Sequence, residues 1–178
     1  MQNLSFRIKQ FVRRENATAT MEFVITFPII MILFIAVFET SMIMTRQVMM
    51  ERTLDQAVRI LRLANGLTVT PAEIRTAICD NTSLLPDCET LLTIDLREID
   101  RATYAVPGNQ EMCIERADAS ATVSTTFNPG ADNQVMLVRA CMIVDRLLPF
   151  SGFGLNLTRD DSGGLHMLAA SVFVNEPD

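Results

Sequence analysis

The sequence predicts an α+β protein: one long, kinked N-terminal helix followed by an antiparallel sheet of three to four strands on which the helix packs. Three observations support this. From about Thr18 the chain reads as helix without a break to Ala64. From Ile43 onward, apolar residues recur at Ile43, Met50, Leu54, Ala57, Leu61 and Ala64, steps that mark one helical face. After Asp87 the period moves towards two, with strand-like runs at Thr90–Ile99, Asp118–Phe127, Gln134–Val144 and His166–Val174.

The helix begins behind a basic head in which Arg7, Lys9, Arg13 and Arg14 precede the first long apolar run. That run, Phe23–Phe38, carries no charge and is interrupted only by Thr26 and Pro28. Its sixteen residues rise roughly 24 Å as a helix, and extension through Met44 gives enough length for a bilayer core. No small-residue cleavage site follows it, so a cleaved secretory signal fits poorly. A buried core helix does not explain the basic head. The sequence therefore predicts a single-pass anchor with its N-terminus inside, since the basic head flanks its N-terminal side. Pro28 predicts a kink, because it removes a backbone hydrogen bond and crowds the preceding turn. Thr26 is a candidate to satisfy the freed carbonyl.

Beyond the span, Arg46, Glu51, Arg52, Asp55, Arg59 and Arg62 fill the polar face, with Asp55 and Arg59 spaced to pair at i,i+4. Asn65-Gly66 supplies a stop signal. Thr70-Pro71-Ala72-Glu73 opens a short helix to about Cys79, with a cap, a proline in the first turn and a capping box. Turns are expected at Asn128–Asn133 and Arg159–Gly164. The expected organisation is a leader over 1–17, a membrane helix over 18–44, its amphipathic continuation over 45–66 and an exported α+β domain over 67–178.

Cys79, Cys88, Cys113 and Cys141 all lie beyond the anchor. Four cysteines in a small exported domain favour two disulfides. Three connectivities are open; Cys79–Cys88 with Cys113–Cys141 is favoured, because the first pair closes a short loop. The spacings contain no Cys-x-x-Cys, and His166 is the only histidine, so neither zinc nor another metal is expected. A net charge of −6 argues against general nucleic-acid binding. No phosphate loop, dinucleotide motif or catalytic constellation is visible. His166 has no triad partners in sequence, and Asp160 and Asp161 lack calcium-loop spacing. No enzyme activity, cofactor or small-molecule substrate is therefore expected. An anchored hydrolase relying on His166 is the weakest of the classes considered.

Two acids interrupt the anchor. Glu22 stands at its inner mouth, where a carboxylate costs about 2.5–3.5 kcal/mol if it sits deep and less at the interface. It either stays hydrated or meets a positive partner on association. Glu39 either ends the span or contacts a helix bundle. Methionines 42, 44, 49 and 50 cluster where the helix leaves the membrane, as flexible apolar filler or an adaptable helix–helix surface.

The segment Ala17-Thr18-Ala19-Thr20-Met21-Glu22-Phe23, followed by Pro28 and Glu39, resembles the TadE/TadF family of minor pilins (pseudopilins) of the Tad secretion and tight-adherence pilus. The family's segment reads Gly-Ala-x-x-x-Glu-Phe, then an apolar run with proline and a second glutamate. The likeness covers residues 14–64, with a less specific one at Gln134–Cys141 and the closing strand. It implies a pilin-like fold and a bacterial inner-membrane location, with the C-terminal domain in the periplasm. It also implies cleavage by a prepilin peptidase and partnership with other Tad pilus subunits and inner-membrane assembly proteins, in the service of adhesion or secretion. Carried over, Ala17 precedes the cut bond, Thr18 is the first mature residue, and Glu22 and Phe23 are the fifth and sixth. Ala17 stands where the family has glycine, and its Cβ restricts the backbone a protease must accept. The alternative function is an unprocessed, membrane-anchored periplasmic adaptor or binding module.

Overall fold

The structure is a computed structural model that describes residues 16–63, 69–106, 112–114, 116, 125–146, 159 and 161–177. The basic head, the Asn65-Gly66 stop, Asp160 and residues 117–124 of the expected Asp118–Phe127 strand lie outside the described residues.

Helix α1 spans Asn16–Leu63 and contains Pro28, with helix assigned on both sides of the proline. Thr26 makes no side-chain hydrogen bond among the described residues. The back-bonded hydroxyls are instead Thr40 to Ala36 O, Ser41 to Val37 O and Thr53 to Met49 O. The expected Asp55–Arg59 pair is not among the ion pairs of the described residues; Gln47 and Glu51 are joined at the same spacing, at 2.8 Å.

The chain divides into two units, with the boundary in α1 between Ser41 and Met42. The first unit, as far as it is described, is the apolar part of the helix. Its side chains from Met21 to Phe38 are largely exposed, including Phe23, Phe27, Phe34 and Phe38.

The second unit holds the remainder of α1, helix α2 (Pro71–Cys79), the single turn α3 (Cys88–Leu91) and strands β1 (Thr93–Glu98), β2 (Val135–Val144) and β3 (Leu165–Val174). The strands form an antiparallel sheet in the order β1–β2–β3. The sheet has two unlike faces, because side chains alternate along each strand. Ile94, Leu96, Met136, Val138, Ala140, Met142, Met167, Ala169 and Phe173 share one buried cluster with Met50, Leu54, Ala57, Val58 and Leu61 of α1. The predicted stripe at Met50, Leu54, Ala57 and Leu61 thus packs on the sheet; Ile43 is half-buried and Ala64 lies outside the described residues.

Helix α2 begins with the predicted capping box: Thr70 N–H donates to Glu73 Oε2 at 2.8 Å, and Glu73 N–H donates to Thr70 Oγ1 at 3.3 Å. Ile74 and Ile78 bury its inner face. The expected strand Thr90–Ile99 starts later, at Thr93. Asp87 takes a left-handed backbone conformation and starts α3, which claims Thr90 and Leu91 for a helical turn closed by Leu92 N–H on Cys88 O. The described end of the expected second strand makes only a parallel bridge from Phe127 to Leu96, so three strands form the ladder. In the predicted Asn128–Asn133 turn, Gly130 has φ +74°, and a Cβ there would meet Met136 Sδ at 2.5 Å. Glycine answers both demands.

Candidate functional site: the apolar helix and its two carboxylates

Ala17 and Thr18 lie in the first turn of α1, which opens at Asn16. Glu22 and Phe23 follow on exposed helix, and the Phe23 ring stacks on Phe27 at 5.1 Å between centroids. Pro28 is exposed one turn further on. Glu22 and Glu39 are separated by seventeen positions, about 25 Å of helix rise. Within one chain they therefore cannot act as a pair. Glu39 is buried and engaged with a partner, unlike the exposed Glu22. An exposed apolar surface such as that from Met21 to Phe38 is costly in water. It matches hydrocarbon or the apolar faces of neighbouring helices. Among the described residues, this is the one helix long and apolar enough to cross a membrane.

The cysteines pair as Cys79–Cys88 and Cys113–Cys141, with Cα–Cα distances of 5.7 and 5.2 Å, both within disulfide range. The first ties α2 to α3. The second ties residue 113 to the β2 face opposite α1. His166 lies on β3, half-buried, and its Nε2 has no hydrogen-bond partner among the described residues. Asp161 is exposed in the turn before β3. Among the described residues no group of three or more His, Cys, Asp or Glu side chains is arranged to hold a metal.

One cluster was missed in the sequence. On the sheet face away from α1, Asp95 and Arg139 stand directly opposite across β1 and β2. Both are almost completely buried. Arg139 donates to Asp95 Oδ2 from Nη2 at 2.7 Å and from Nε at 3.2 Å. Arg97 and the Thr126 N–H serve Oδ1, the latter at 2.9 Å. Burial alone would push the Asp95 carboxyl up. The hydrogen bonds from Arg97, Thr126 and Arg139 outweigh it and hold the group below the usual aspartate value. The signal available in sequence was Arg139, the one charge in the otherwise apolar run of β2, and Asp95 between the apolar Ile94 and Leu96 of β1. These bonds tie β1, β2 and the Thr126 segment together.

Fold and site together define a class: an α+β domain continuous with a helix that carries the hallmarks of a membrane anchor. Residues 17–59 match the model of the TadE-like protein family. The match spans the helix with Glu22, Phe23, Pro28 and Glu39, and it associates the chain with Tad pilus systems, whose TadE-like members are structural and assembly components. No curated protein matches the chain, and no solved structure does.

Proposed function

We propose that this chain is a minor-pilin-like subunit or assembly factor of a Tad-type pilus, held in the bacterial inner membrane by residues 18–44 with the α+β domain in the periplasm. The observation that carries the reading is the exposed apolar half of α1 with an acid at its inner mouth, inside the segment that matches the TadE-like model. The basic head fixes the orientation of insertion. A prepilin peptidase removes that head between Ala17 and Thr18. The new α-amine and Glu22 then neutralise each other between neighbouring helices through a charge-assisted hydrogen bond, which lowers the cost of moving Glu22 from the interface into a helix bundle. Glu39, seventeen positions further on, serves the same bundle near its outer end. The disulfide-tied domain presents the surface that meets other Tad subunits, in support of adhesion or secretion.

The experiment is Glu22→Gln in the full-length chain. Membrane insertion is expected to stay intact while pilus assembly is lost, read by fractionation and by surface pili. Normal piliation of that variant contradicts the charge-pairing step. A second reading is favoured by Ala17, which stands in place of the glycine expected before a cut bond: an unprocessed anchored adaptor. N-terminal sequencing separates the two, because the subunit starts at Thr18 and the adaptor at Met1.

A further inference from the structure

Strand β3 is one edge of the sheet, and its ten residues Leu165–Val174 contain no charge, proline or glycine. Charges and proline are usual devices against unplanned edge pairing. The other edge is occupied: Leu96 of β1 donates its N–H to Thr126 O at 2.7 Å and accepts from Asn128 N–H at 2.8 Å. On β3 the backbone groups alternate between facing β2 and facing outward. Leu168 identifies the outward set, because its carbonyl accepts from Gln47 Nε2 at 2.9 Å. Ala170, Val172 and Val174 belong to the same set, and among the described residues nothing bonds their backbone groups on the outer side. Their side chains are exposed as well, with Val172 at 57% and Val174 at 45%.

We propose that residues 170–174 pair antiparallel with the same stretch of a second copy of this chain, centred on Val172. A row of outward N–H and C=O groups on extended backbone is answered by another extended strand. The stretch is self-complementary: Val172 faces the partner's Val172, Ala170 faces the partner's Val174, and no like charges meet. Gln47 sets the limit, because it already holds the Leu168 carbonyl. Only a register centred on Val172 uses all three open positions without Leu168. Five residues a side fall far below the 20–30 of a stable soluble interface. The pairing therefore needs copies concentrated by a shared membrane anchor, and in this respect it rests on the anchoring reading.

The test uses the full-length protein in its native membrane, a short bis-thiosulfonate cross-linker and non-reducing gels. Val172→Cys is expected to give a covalent homodimer. Val174→Cys alone should give at least tenfold less, because its equivalent lies about 14 Å away across the two-fold. The double variant Ala170→Cys with Val174→Cys should cross-link again, and adding Val172→Lys to it should cut the yield at least tenfold. Equal yields at positions 172 and 174 would reveal random collision and overturn the proposal. So would a product with a different protein, persistence with Val172→Lys, or no dimer from either Val172→Cys or the double variant. Retention in alkali-washed membranes reads the anchor independently, so loss of the dimer with retention intact counts against the pairing alone.

Discussion

The two halves of α1 share one helical backbone and meet opposite surroundings. Phe34 is 68% exposed, whereas Leu54, twenty positions along the same helix, is 1% exposed. The first half is apolar all round, the pattern of a helix that is surrounded by apolar material on every side. The second half confines its apolar residues to one stripe, with Glu51, Arg52 and Asp55 exposed beside it. A helix can thus change its solvent partway along without changing its backbone, and the width of the apolar surface marks the change.

The strongest way to break this contrast is to place the same charge in each half. Leu54→Asp should cost the second unit about 5 kcal/mol or more, because it buries an unpaired carboxylate. Phe34→Asp should leave that unit's stability unchanged and weaken membrane retention instead. Denaturant unfolding in detergent, with fractionation alongside, checks both. Comparable loss of folding in the two variants would mean that the halves do not differ as described.

The second contrast lies within the sheet, whose α1 face is apolar and whose other face holds Asp95 and Arg139. Arg139→Ala should destabilise by about 3–5 kcal/mol, since it strands a buried carboxylate. Replacing both residues, Asp95→Leu with Arg139→Met, should recover most of that loss. Equilibrium unfolding of the single and double variants measures the difference.

Acid gives a smaller effect on the same face. The folded-state pKa of Asp95 lies below its ordinary value, so the unfolded chain binds the proton more readily. The stability that Asp95 contributes is full above the unfolded value of about 3.9 and is lost as pH falls through the lower folded value. Unfolding followed from pH 7 to pH 2 should fall off below about pH 4, and Asp95→Asn should flatten that part of the curve.

The long apolar helix, the stripe at Met50, Leu54, Ala57 and Leu61, the Thr70–Glu73 cap and strands β2 and β3 were legible because each rests on local periodicity or local hydrogen bonding. The strand pattern starts at Thr90, three residues before β1, since a four-residue turn such as α3 carries too little periodicity to compete with a strand pattern. The Asp95–Arg139 pair was hidden because a charge in a strand reads as solvent-facing until the register places its partner opposite. The fate of Glu39 was equally non-local: sequence offered an end to the span or a bundle contact, and in the structure the side chain is buried and partnered. The unguarded edge of β3 emerged only once the strand order was known.

The claim on which the rest depends is that the first half of α1 resides in lipid. Alkaline extraction of membranes from cells producing the full-length chain tests it most directly. The account predicts that the protein stays in the pellet and is released only by detergent. Recovery of the intact chain in the aqueous supernatant, monodisperse without detergent, would contradict it.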